Sequence, residues 1–299
     1  MDSLNDFPAL YASTDLLSRK AQTVFLRVLR VRLFGLLVAT AGGAVTVSFV
    51  GFSVGGAVAF LGFAIALICE LYSATNRPDR VWYEGRAAAE SIKTLAWRFA
   101  IKGESFEEAD EGAAEGKFLS ELNGILQDLD ALTLPSEPGQ TVQITEAMRR
   151  ARKSPFEARR DLYRNERILD QQKWYSAKAA WNERRASRWT VATFVIEGAG
   201  LLVGASAAFG LIKFDLLGIL AATAATITAW VQAKQFSNLA TAYGVTTQEL
   251  GSVLSELEAL RNEADWPKFV GGAEEAISRE HTLWRASRGI RIRKPRTLT

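Results

Sequence analysis

Between Leu33 and Cys69 the chain runs for 37 residues without an Asp, Glu, Lys, Arg or His. As an α-helix rising ~1.5 Å per residue, that run would extend roughly 55 Å, against a bilayer hydrocarbon core of about 30 Å. One span cannot use such a length; a helical hairpin can. The natural break is Gly51-Phe52-Ser53-Val54-Gly55-Gly56, which predicts spans over Leu33–Val50 and Val54–Tyr72. A second apolar region follows Trp189 and predicts two more spans, Thr190–Ile212 and Leu216–Ala233, joined by the tight charged turn Lys213-Phe214-Asp215. The alternative is a pair of buried hairpins in a soluble protein, but stretches this rich in Gly and Ala would leave such a core poorly filled. Ala39-Thr40-Ala41 resembles a signal-peptide cleavage site, yet 32 residues precede the apolar run and it continues well beyond that point, so cleavage is not expected.

The short flanks set the expected orientation. Arg27, Arg30 and Arg32 precede the first span, Arg77, Arg80 and Arg86 follow the second, Arg184, Arg185 and Arg188 precede the third, and Lys234 follows the fourth. Bases gather on the cytoplasmic side. This predicts a multi-pass membrane protein with both termini and both long connections in the cytoplasm. Trp189 and Trp230 stand at span ends, where amphipathic rings anchor at the interface; Arg30, Arg32, Arg184, Arg185 and Arg188 complete the expected anchor set. One Cys and one His exclude an intrachain disulfide or a Cys/His zinc cluster. A net charge of +3 gives no reason to expect nucleic acid as a partner, and no cofactor is expected.

Outside the spans the pattern is helical. An amphipathic helix is expected from Ser13 into the first span. Asn76-Arg77-Pro78 marks a restart, with a helix to Lys102, because Pro suits a first helical turn. Residues 103–140 hold ten acids and one base, and 141–190 hold thirteen bases and six acids. The two segments either pack together, within or between subunits, or form two solvated faces. A helix is expected over Ala114–Leu132, a linker at Pro135, Pro138 and Gly139, a short helix over Thr145–Lys153, and a break at Ser154-Pro155 before a long helix enters the third span. Beyond the fourth span the helix should stop at Gly244, restart from the capping-box pair Thr246 and Glu249, and be followed by a last helix over Pro267–Arg288. The tail Arg285–Arg296 carries six bases and no acid, which suits an anionic leaflet or a solvated tail. The order helix, hairpin, helix occurs twice. This predicts a first two-span unit over 1–132, a linker over 133–141 and a second unit over 142–299. The fold class is therefore an all-α integral membrane protein, two tandem transmembrane hairpins with long cytoplasmic helical extensions.

Glu197 is the only formal charge inside the third span, and a carboxylate there is costly enough to suggest function. It either lines an ion path or gates one, together with Thr223 and Thr226 of the fourth span, or it is a packing residue bonded to another helix. Small residues recur at helical spacing, mostly of four: Gly35 and Ala39; Gly55, Ala59, Gly62 and Ala66; Gly200, Gly204 and Ala208; Gly218, Ala222 and Thr226. That spacing lets membrane helices approach closely and favours association. His281 has no second His or companion Cys and reads as a surface or packing residue. No nucleophile motif or phosphate-binding loop stands out, and enzyme activity is not expected.

Tyr163-Arg164-x-x-Arg167-x-x-Asp170-Gln171-x-x-Trp174-Tyr175-x-x-Lys178-Ala179-x-x-Asn182, followed by a two-span hairpin, resembles the SLATT superfamily of bacterial two-transmembrane effector domains. The segment from Ala273-Glu274 to Trp284-x-Ala286-x-Arg288 is similar to the close of such a unit. In the first half, Arg86-x-x-Ala89-Glu90-x-x-Lys93-x-x-Trp97 after the hairpin resembles a diverged second member. The signature positions are thus Gln171, Trp174, Tyr175, Lys178, Glu90 and Trp97. The resemblance implies a membrane-perturbing or pore-forming effector of bacterial conflict systems, answering a nucleotide signal or a sensor protein. Combined with the spans, it predicts a homo-oligomeric pore or ion channel gated through cytoplasmic helices. The rival reading is a membrane-anchored scaffold or sensor without a conduction path; a transporter comes third.

Overall fold

The computed structural model describes residues 6–49, 51–108, 110–129, 132–135, 141–211 and 214–287, with side chains described as far as Ser278. The helices are α1 (Ala9–Gly43), α2 (Val54–Asn76), α3 (Pro78–Ala100), α4 (Glu111–Gln127), α5 (Glu146–Lys153), α6 (Phe156–Tyr163), α7 (Asp170–Ala208), α8 (Leu216–Lys234), α9 (Phe236–Ala259) and α10 (Trp266–Ser287). A π-helical turn, Arg164–Leu169, joins α6 to α7. Apart from a minimal antiparallel hairpin, β1 (Ser48–Phe49) with β2 (Phe52–Ser53), the described chain is all-α. Among the described residues, three helical stretches are long and apolar enough to cross a membrane: Val54–Asn76, Phe156–Ala208 and Leu216–Ala259.

Two expectations need correction. The first span was expected to stay helical to Val50, but α1 ends at Gly43, and Val50 itself lies outside the described residues. Tandem glycines at 42 and 43, followed by Val45-Thr46-Val47, combine the residue types that least favour a helix. The chain then turns through Gly51 at φ +82, which glycine adopts without steric cost. Ser53 caps α2 by accepting a bond from the Gly56 amide at 3.0 Å. The apolar part of α1 is therefore short, and α1 is not among the three spanning candidates. The second correction concerns the break after the fourth span. It comes at Gln235, in the left-handed region at φ 51, and α9 runs straight through Gly244. Thr246 and Thr247 bond back to the Ala242 and Tyr243 carbonyls instead of capping a new helix.

The other boundaries follow their local chemistry. Arg77 at φ 41 closes α2 and Pro78 opens α3. Thr145 caps α5 by accepting from the Met148 amide, and Ser154-Pro155 ends it. Asp215 caps α8 through the Gly218 amide at 3.0 Å; its neighbour Lys213 lies outside the described residues, as do Pro138, Gly139 and the basic tail from Arg288 onward. The side chain of His281 is likewise not described.

The described residues form two compact units. One draws on the described residues up to Lys20, on those of Arg80–Lys178 and on those from Ala242 onward, the other on those of Ala21–Asp79 and Ala179–Thr241. The first, the polar unit, has a conventional core in which Trp97, Phe99, Phe106, Phe118, Met148, Tyr163 and Trp266 are fully buried. Each such side chain contributes about 1.5–3 kcal/mol on burial. The Trp266 indole donates to the Ile101 carbonyl at 2.7 Å. The second, the apolar unit, packs by close backbone approach. A Cβ on Gly42 would stand 2.7 Å from the Ala59 nitrogen, and one on Gly62 would stand 2.6 Å from that of Ala39. The small-residue stripes of α1 and α2 thus face each other. That of α7 is open at Gly200, where nothing lies within 4 Å of a built Cβ, and at Gly204 meets only the Leu217 side chain, at 3.9 Å; Gly198 beside it is open as well.

Candidate functional site

In the apolar unit, helices α1, α7 and α8 enclose a groove of about 510 Å³. Its walls carry Arg30, Leu33, Phe34 and Leu37 from α1, Trp181, Arg185 and Trp189 from α7, and Thr226, Ile227, Trp230 and Lys234 from α8, with Phe236 beyond. Spacing explains the assembly: Trp181, Arg185 and Trp189 recur every four residues, as do Thr226, Trp230 and Lys234, so each set shares one helix face. The guanidinium of Arg30 lies 5.4 Å from the Trp230 ring centre, and the Lys234 ammonium lies 5.8 Å from the same ring. Arg185 covers Trp181 at 5.2 Å, and Trp181 meets Phe236 edge-on at 5.9 Å. Rings with cations over their faces are the arrangement of an interfacial belt. Four of the anchors named from sequence, Arg30, Arg185, Trp189 and Trp230, and one pore candidate, Thr226, converge here; Trp181, whose four-residue spacing to Arg185 and Trp189 was the available signal, was missed.

The remaining sequence candidates are scattered. Arg32 pairs with Glu70 of α2 at 2.6 Å. Arg184 and Arg188 are exposed on α7. Glu197 is exposed on α7, with no hydrogen bond or ion pair to any described residue. Thr223 donates to the Ile219 carbonyl at 2.8 Å, within its own helix.

The polar unit contains a buried charge node, and one signature residue, Trp97, packs against its Tyr163 member. Glu274 of α10, with no exposed side-chain surface, accepts two bonds from Arg167, at 2.9 and 2.6 Å. It also accepts from the Tyr163 hydroxyl at 3.0 Å and from Thr94 at 2.9 Å. Arg167 projects from the π turn, a geometry that interrupts helices mostly at functional positions. Burial alone would lower its affinity for the proton, but the Glu274 carboxylate outweighs that and holds the guanidinium charged. Burial and then Glu274 push the Tyr163 phenol up, and burial with Arg167 nearby holds Lys93 below the usual lysine value. Trp97 is fully buried, edge-on to Tyr163 at 5.8 Å. Glu90 pairs with Arg86 at 2.8 Å. Trp174 stacks edge-on against Tyr175 and Tyr243 and carries Lys178 over its ring at 5.7 Å, while Gln171 meets Asp170 at 3.3 Å.

The acidic and basic segments do pack together within the chain. Arg149 bonds both oxygens of Glu115, at 2.8 and 3.2 Å. Arg152, wholly buried, donates to the carbonyls of Phe99, Phe106 and Glu108 and to the Glu111 carboxylate. It therefore fixes the loop between α3 and α4. Composition marked Arg152 as one base among many; its position four residues after Met148, on the buried face of α5, was the available signal.

Burial and then the carboxylates of Asp15 and Glu90 push Tyr11 up to about 12, with Arg86 and Arg19 opposing. The folded chain therefore holds this proton where the unfolded chain, near the usual tyrosine value of about 10, has lost it. Stability should be fully present below that value and fall as pH rises toward 12. Unfolding in detergent followed by circular dichroism should show this alkaline loss, and it should be shallower in Tyr11→Phe. An identical slope in the two proteins would refute the assignment.

Two family models match the chain in tandem: SMODS and SLOG-associating 2TM effector domain 3 over residues 8–160, and SMODS and SLOG-associating 2TM effector domain 1 over residues 163–284. No curated protein and no solved structure matches.

Proposed function

Because this chain belongs to the family of SMODS and SLOG-associating 2TM effector domains, the membrane effectors of conflict systems, we propose that it acts as a homo-oligomeric pore or ion channel of the bacterial inner membrane. Its activation would breach the cell's own permeability barrier in response to a nucleotide signal or a partner sensor. The observation that carries this reading is the uncovered state of α7 and α8. None of the residues in their most apolar windows is buried by the rest of the described chain. Phe194, Leu201, Leu202 and Phe209 are more than half exposed, beside the open glycines 198 and 200 and the exposed Glu197. Lipid satisfies the apolar side chains, but a carboxylate in hydrocarbon needs a polar partner or water. A second copy laid on this face supplies one, and a ring of Glu197 side chains around water supplies the other.

The gating element in this reading is α7, a single helix that carries residues of both compact units. In this reading a change at the polar unit reaches Glu197 through α7. Four membrane passes, with both termini inside, belong to the same proposal, the first pass using the short apolar end of α1 together with β1.

Purified chain in liposomes should release ions, and Glu197→Gln should change conductance or ion preference while the oligomer persists. Failure to conduct in every state, including with the cognate activator, overturns the pore and leaves a membrane-anchored scaffold.

A further inference from the structure

Of the cations near the membrane end of α1, α7 and α8, Arg32 has a carboxylate partner, and Arg30, Arg185 and Lys234 have none among the described residues. These three line one groove whose walls contain no acid. Their rings, Trp181 and Trp230, hold them in place but do not neutralise them. Like charges gathered on one wall repel unless an anion joins them. The groove is also polarised along its length. Toward the middle of the helices the lining becomes Leu33, Phe34, Leu37 and Ile227, apolar except for the neighbouring Thr226. The cations sit at the N-terminal side of the apolar stretch in α1 and α7 and at its C-terminal side in α8, so all three helices put charge at one end and hydrocarbon at the other.

We propose that this groove is a binding site for one anionic phospholipid, whose phosphate lies among Arg30, Arg185 and Lys234 and whose acyl chain lies along Leu33, Leu37 and Ile227. Basic pockets between membrane helices recognise lipid headgroups by this combination. A soluble phosphate would match the charge and leave the apolar half empty. The inference rests on the membrane placement proposed above and not on conduction, so the two fail separately. A chain that conducts without retaining the lipid overturns only the site, and one that retains it without conducting overturns only the pore.

The test uses the whole chain, delipidated in detergent. Phosphatidylglycerol should raise its melting temperature and survive as an adduct in native mass spectrometry, and phosphatidylcholine with the same acyl chains should do neither. Inorganic phosphate at matched concentration should have no effect. Arg185→Gln and Lys234→Gln should each weaken phosphatidylglycerol binding about five-fold, as expected for the loss of one base near an anionic lipid. Equal retention of the two lipids, or the same stabilisation from inorganic phosphate, overturns the proposal on the unsubstituted protein, whether or not the variants fold. Variants that fold and bind phosphatidylglycerol undiminished overturn it as well.

Discussion

Glu274→Ala is expected to destabilise the polar unit by about 3–5 kcal/mol, the usual consequence of removing one partner from a buried ion pair. The Arg167 side chain is 1% exposed and the Glu274 side chain 0%, so no solvent can replace the lost carboxylate. Arg167 Nη1 already has no partner among the described residues, and beyond Glu274 the guanidinium donates only to the Thr94 hydroxyl, at 3.5 Å. The Tyr163 and Thr94 hydroxyls would lose their acceptor at the same time. With domain stabilities of roughly 5–15 kcal/mol, that loss consumes a large part of the total. The measurement is chemical unfolding of the detergent-solubilised chain. The double variant Arg167→Met, Glu274→Leu should recover most of the loss, because removing both charges removes the desolvation problem with them. A single-variant loss below about 1 kcal/mol would mean that the node is open to water.

The node also marks where sequence reading stops. Tyr163 and Arg167 stand four residues apart on one helix face, and Glu274 is distant in the chain; each was part of the pattern that pointed to the family. Nothing in local spacing says that a base in so basic a segment is buried, since solvated and buried arginines have the same periodicity. Only the partner, 107 residues away, distinguishes them. The apolar segments were legible for the opposite reason: hydropathy over twenty residues integrates a signal that single positions lack. Where the reading failed at Gly43, the cause was local backbone preference, which a window average hides. At Gln235 a residue with no such preference breaks the helix, while Gly244, the local breaker, stays helical. The interface groove lay between these cases. Charge and aromatic residues at span ends identified Arg30, Arg185, Trp189 and Trp230 singly, but their convergence on one groove depends on which faces of three helices meet.

Packing within the first hairpin makes the last prediction. Gly62→Leu should open the α1–α2 pair, at a cost at or beyond the upper end of the roughly 1–3 kcal/mol typical of overpacking. A Cβ at position 62 would stand 2.5 Å from the Gly35 carbonyl oxygen and 2.6 Å from the Ala39 nitrogen. Both neighbours are backbone, so no side chain can turn aside, and the helices must separate along the whole stripe. Helices in a bilayer have little hydrophobic drive to rejoin, because their association depends on this close contact. Gly200→Leu is the informative counterpart. With nothing within 4 Å of its Cβ, it should leave the unfolding of the monomer unchanged. If α7 meets a second copy as proposed, the same substitution should dissociate the oligomer on size-exclusion chromatography in mild detergent. Gly62→Leu tolerated without loss of stability would refute the close approach of α1 and α2. Gly200→Leu with its assembly intact would place the subunit contact on a different face.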